Sequence, residues 1–158
     1  MEINGLPLHP LVVHAVVVFA PLAAVFALTY ALKPQWRWAL RWPLAAGTLV
    51  ALVGAVVAAQ SGKSLLSSRP ALEGLAAVSR HISAGTRLRN VMIVFAVAVA
   101  LALWRLGGPS ALVSGKGARA VRGGAADLVL MGLLVLTAVA VLVTVFLAGD
   151  SGARAVWG

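Results

Sequence analysis

Four apolar runs constrain this chain more than any other feature. They cover about residues 10–32, 43–59, 91–106 and 127–148, and charges enter only at their edges, as Arg105 and Asp127. At 1.5 Å per residue, a helix of about 20 apolar residues crosses a hydrocarbon layer of ~30 Å. Inside lipid every backbone polar group must be satisfied within the protein, so such runs are expected to be helices. The expected fold is all-α, a four-helix transmembrane bundle forming one integral membrane domain over residues 1–158. Composition agrees: 61% hydrophobic and 11% charged residues with a mean hydropathy of +1.00 exclude an ordinary soluble globule.

The punctuation between runs sets the connections. Pro10 suits the start of a helix, and Pro21 lies within the first span, where a kink is expected. The link Lys33-Pro34-Gln35-Trp36-Arg37-Trp38-Ala39-Leu40-Arg41-Trp42 mixes tryptophan with cations, as an interfacial belt does. Gly47 and Gly54 in the second span permit close helix approach. From Leu72 onward, Leu75, Val78, Ile82, Gly85, Leu88 and Met92 recur at three- and four-residue spacing. This periodicity predicts an interfacial amphipathic helix around 71–85 that runs into the third span. A Gly-, Ser- and Arg-rich loop over 107–126 carries Lys116, Arg119 and Arg122. No convincing internal repeat is visible.

Thirteen Lys and Arg against four acids give a formal charge of +9. Because the cations sit between apolar runs, a lipid bilayer with anionic headgroups is the expected partner, not nucleic acid. The chain has no cysteine, which removes disulfides, thiolate metal sites, iron–sulfur ligation and covalent c-type haem attachment. The N-terminus lacks a basic segment before the first run, so that run is expected to be retained rather than cleaved. With the N-terminus outside, inner loops hold seven cations and the outer side six. The first span breaks the near-tie, with no cation before it and three after it, and favours both termini outside. An even number of spans places His9, His14, the 60–90 segment and the C-terminal tail on one membrane side.

Those histidines are the candidate site. Histidine is costly in a bilayer and is a common ligand to metals and haem iron. His9 and His14 are about 140° apart on a helix, so they do not form a ready-made pair. His14 lies a turn deeper than His9, and His81 shares a helix face with Gly85. If the first and third helices meet, His14 and His81, with His9 as the alternative, could ligate a b-type haem, with a small residue making room for the macrocycle. A three-histidine zinc or copper site is the rival use. The plain alternative is that His9 caps its helix, His14 bonds a neighbouring helix and His81 lies on an exposed loop. Asp150 and Arg154 are spaced to pair, and Asp127 meets the positive end of the fourth helix. No nucleophile–base arrangement or paired intramembrane carboxylates are legible, so an enzyme is not the expected reading.

The opening Gly5-Leu6-Pro7-Leu8-His9-Pro10-Leu11-Val12-Val13-His14, the apolar helix containing Pro21, the histidine before the third span and the tail Gly149–Gly158 together resemble a bacterial membrane family, domain of unknown function 2231. The resemblance covers essentially the whole chain. It departs at Ser79-Arg80-His81-Ile82, where the family's third-helix histidine is commonly followed by acids. The resemblance implies a redox-associated module of the bacterial inner membrane, with a redox protein or another membrane subunit as partner. The expected function is thus a small non-enzymatic membrane subunit that binds haem b or a metal. The rivals are a structural membrane subunit without a cofactor and, third, a small transporter.

Overall fold

The computed structural model describes residues 2–3, 6–72, 74–106 and 124–157, and within them the four apolar runs are helices. They are α1 (Leu8–Leu32), α2 (Arg37–Ser67), α3 (Ala76–Arg105) and α4 (Ala125–Trp157). Each is long and apolar enough to cross a membrane. Pro10 falls in the first turn of α1, where its missing N–H costs nothing. Pro34 opens a 3-10 turn, Pro34–Trp36, that reverses the chain into α2. A short antiparallel pairing of Glu2–Ile3 with Leu6–Pro7 precedes α1. The basic residues Lys116, Arg119 and Arg122 lie outside the described residues.

The amphipathic segment expected around 71–85 runs into the third span as its periodicity implied, but starts later: Pro70–Leu72 is a 3-10 turn, and α3 then runs unbroken from Ala76 to Arg105. The amphipathic periodicity is real, but it belongs to the first turns of a spanning helix whose apolar stripe continues inward through the buried Leu88, Met92 and Phe95.

The helices form a square bundle. α1 packs on α2 and α4, α3 packs on the same two, and α1 and α3 face each other across a diagonal. Contact is closest within the α1–α2 and α3–α4 hairpins. On α1 the interior is lined by small side chains, with Ala20, Ala23, Ala24 and Ala27 wholly buried, while Leu44, Met92, Phe95 and Leu134 fill it from the other helices. Other large apolar side chains, such as Val18, Leu49, Leu136 and Phe146, point outward. That outward apolar surface suits lipid, which gives no hydrophobic reward for burial, so association depends on close packing.

Two glycines show the tolerance of the α1–α2 contact. A Cβ on Gly54 would stand 2.9 Å from Val16 Cγ2, whereas one on Gly47 would sit 3.6 Å from Ala23 Cβ, an ordinary contact. Gly54→Leu should therefore destabilise the bundle by about 1–3 kcal/mol through overpacking. Gly47→Ala should be neutral or stabilising by up to ~1 kcal/mol through helix propensity. Unfolding of the two variants in mixed micelles checks this; equal effects would refute the close approach at Gly54.

Polar groups inside the bundle are mostly returned to their own backbone. Thr29, Thr137 and Thr144 donate to the carbonyls of Val25, Leu133 and Ala140 at 2.9, 2.8 and 2.7 Å. The hydroxyls of Tyr30 and Thr48 are buried without a hydrogen-bond partner among the described residues.

Candidate functional site

His9 and His81 meet across the bundle diagonal. Their ring centroids are 6.0 Å apart with planes at 80°. His9 sits in the first turn of α1 and His81 in the second turn of α3, so the pair lies at the end of the bundle where α2 and α4 finish. The expectation that topology gathers these segments on one side is met by direct contact.

Each imidazole rests in a cradle on the helix that follows it. His9 Nδ1 donates to the Ala58 carbonyl at 2.9 Å, with Ser61 Oγ 3.4 Å away. His81 Nδ1 lies 3.3 Å from Ser151 Oγ and within reach of the Ala148 carbonyl. Both serines also donate to those carbonyls, Ser61 to Ala58 at 3.2 Å and Ser151 to Ala148 at 3.0 Å. A glycine follows each serine. A Cβ on Gly62 would stand 3.1, 3.2 and 3.8 Å from Cε1, Nδ1 and Nε2 of His9; on Gly152 the distances to the same atoms of His81 are 3.0, 3.2 and 3.8 Å. Any side chain at either glycine would press on the ring.

The two cradles are therefore the same device used twice. Ala58-x-x-Ser61-Gly62 lies near the end of α2, and Ala148-x-x-Ser151-Gly152 near the end of α4. The matching contacts relate hairpin α1–α2 to hairpin α3–α4 in an approximately two-fold manner at this end of the bundle. The recurrence is confined to this five-residue pattern. The signal was the pattern of alanine, serine and glycine at equal spacing near two helix ends. Ala/Val/Leu-rich spans hide it, because alanine and glycine are common throughout.

A family model matches residues 5–158, nearly the whole chain. The chain belongs to the DUF2231 family of predicted membrane proteins. No curated protein and no solved structure matches it.

In this DUF2231 chain His14 stands apart from the pair. It is exposed on the outer surface of α1, and its Nδ1 donates to the Pro10 carbonyl of its own helix at 2.6 Å. His9, the alternative to His14, is the histidine that meets His81, because His14 is turned about 140° away around the helix. Gly85, on the face of His81, has open space beside it. A three-histidine set does not come together: among the described residues no group of three or more His, Cys, Asp or Glu could hold a metal ion.

The other end of the bundle carries a buried carboxylate and a buried guanidinium. Asp127, expected there only as a partner of the helix dipole, is buried and accepts from Arg105 Nε at 2.6 Å. Asp150 and Arg154 pair at 2.9 Å on the α4 surface at the histidine end, as their spacing predicted. Arg37 is buried, and it donates from Nε to the Tyr30 carbonyl at 2.9 Å and from Nη2 to Met131 Sδ at 3.2 Å. Sequence reading placed Arg37 in an interfacial belt; its burial was not legible, since it depends on α4 closing over the α1–α2 turn.

Proposed function

We propose that this protein is a small non-enzymatic subunit of a membrane redox system and that His9 and His81 together bind one copper ion. The paired, two-fold-related cradles carry the reading. The carbonyl of Ala58 can only accept, so Nδ1 of His9 carries the proton and Nε2 keeps its lone pair, the tautomer a metal ligand needs. The matching cradle around His81 favours the same tautomer. With metal–nitrogen bonds of ~2 Å, two imidazoles sharing one ion hold their centroids at about the 6.0 Å separation observed.

The number of ligands favours copper. Structural zinc takes four ligands and catalytic zinc at least three from protein, whereas cuprous ion accepts two nitrogens. Haem b fits the same diagonal pair less well. Its macrocycle needs the space where the Gly62 and Gly152 backbones now lie against the imidazole faces, so α2 and α4 would have to part. The site on this reading faces the outer side of the bacterial inner membrane with both termini outside, where a redox protein or another membrane subunit would be its partner.

Anaerobic titration of the purified protein with cuprous ion against a chromogenic chelator tests the proposal. One ion per chain is expected, with affinity at least about 100-fold weaker in His9→Ala and in His81→Ala and unchanged in His14→Ala. Circular dichroism confirms that the variants remain helical. Binding that survives both substitutions, or is lost only with His14, would overturn the assignment. A reducible Soret and α band lost in the same two variants would replace the ion by haem b.

A further inference from the structure

The end of the bundle opposite the histidines carries a second site, independent of the first. We propose that it holds one anionic phospholipid, with the phosphate against Arg37 and an acyl chain in the groove between α1 and α4.

Three observations converge. First, Arg37 is only 7% exposed, although it is the first residue of α2 and could have extended to water. It is held inward by the last carbonyls of α1, through Nε to Tyr30 at 2.9 Å and Nη2 to Ala31 at 3.5 Å. Those bonds cap α1 and set its partial negative charge against the guanidinium. Among the described residues Nη1 has no hydrogen-bond partner, and it is not sealed from its surroundings, so an outside acceptor can reach it. A largely buried full charge is stabilised when an anion completes it.

Second, the chain supplies too few anions. Among the described residues this end presents Lys33, Arg37, Arg41 and Arg105 against one acid, Asp127, which is paired with Arg105 and adds only its field at Arg37. Four cations against one carboxylate leave room for an anion from outside the chain, and anionic headgroups are the abundant source at a bilayer surface. Arginine matches phosphate oxygens with its planar fork of donors.

Third, a groove begins where the guanidinium ends. It is lined by Ala31, Leu32, Met131, Gly132, Val135 and Leu136, opens sideways to lipid and has a volume of about 480 Å³. That is room for an alkyl chain rather than a few waters, each of which takes about 30 Å³. Its walls are almost wholly apolar, so they offer nothing to a free phosphate. Met131 and Ala31 belong to both features: each lines the groove and each accepts from Arg37. Gly132 keeps the floor clear, since a Cβ there would meet nothing within 4 Å. A charged head beside an apolar trough describes a phospholipid.

Native mass spectrometry of the detergent-solubilised protein, with dioleoyl phosphatidylglycerol or dioleoyl phosphatidylcholine added, tests this. One phosphatidylglycerol is expected to stay bound with about tenfold preference over phosphatidylcholine, the scale of one charge-assisted hydrogen bond. Arg37→Gln should remove the preference. Gly132→Leu fills the groove without touching Arg37; it should abolish retention while leaving helicity and thermal midpoint as in the parent. Glycerol phosphate, which has the head but no chain, should not displace the lipid. Equal retention of both lipids by the parent, unchanged retention in Gly132→Leu, or displacement by glycerol phosphate would each overturn the proposal. Copper binding at the opposite end should be indifferent to both substitutions.

Discussion

Arg105→Met should destabilise the bundle by about 2–3 kcal/mol. The loss comes from what the substitution leaves behind. Asp127 is 3% exposed and its described ion-pair partner is Arg105, at 2.6 Å. Removing the arginine leaves a desolvated carboxylate, and breaking a buried pair from one side costs about 3–5 kcal/mol. The lower figure applies here for two reasons. The Arg105 side chain is 46% exposed, so the pair is partly screened. Asp127 also stands in the first turn of α4, where the helix dipole still favours a negative charge. Asp127→Asn should cost less, about 1 kcal/mol, because the amide can still bond to the guanidinium. The decisive comparison is Arg105→Met with Asp127→Leu, which removes both charges and should recover most of the loss. Reversible unfolding in mixed micelles measures all four forms. If Arg105→Met alone lies within ~0.5 kcal/mol of the parent, a change typical of an inconsequential surface site, the pair contributes nothing.

Gly62→Leu and Gly152→Leu should each weaken copper binding by about 100-fold, and by the same amount within a factor of a few. Neither residue is a ligand. Each cradles an imidazole whose Cε1 would stand 3.1 or 3.0 Å from the new Cβ. Alanine at either position needs a shift of only a few tenths of an ångström, whereas leucine must push the ring out of its cradle and break the Nδ1 bond. The near-identity of the two sets of distances is the reason to expect equal effects. Competition titration with the same chelator reads the affinity, and a histidine-sensitive NMR signal reads the ring displacement. Loss at one glycine and none at the other would mean that the two-fold relation does not extend to binding.

The spans were legible because hydropathy is local. Residues 10–32 and 127–148 announce helices regardless of their neighbours; α1 follows the first closely, and α4 starts with the second but continues to Trp157. Pro34 ended α1 at the expected place. The amphipathic segment joined the third span for a reason equally local: nothing between Ala76 and Val91 breaks a helix, so amphipathic and apolar turns form the single α3. The Asp150–Arg154 pair is an i, i+4 contact on one helix and could be read without a fold. Asp127 with Arg105 could not, since they come from different helices and lie 22 residues apart in sequence.

The site was half legible. Histidine at the mouth of a span drew attention to this end of the bundle, and an even number of spans gathered His9 and His81 there. Which histidine turned inward was beyond the sequence, because α1 is apolar on all sides and shows no preferred face. Lipid accepts any of its rotations almost equally, so small-residue packing decides among them. Ala20, Ala23, Ala24 and Ala27 fix α1 against its neighbours, and that rotation carries His9 to the bundle interior and His14 to its surface.

Sequence by itself thus determined that the chain is a membrane protein of four helices and that an even number of spans brings His9 and the 60–90 segment to one end. Tertiary structure decided the diagonal meeting of His9 with His81, the twofold cradle of Ser61-Gly62 and Ser151-Gly152, and the burial of Arg37. The division follows from the physics of the two steps. Insertion responds to the polarity of each segment alone, whereas helix association depends on shape complementarity between segments, which no single segment contains.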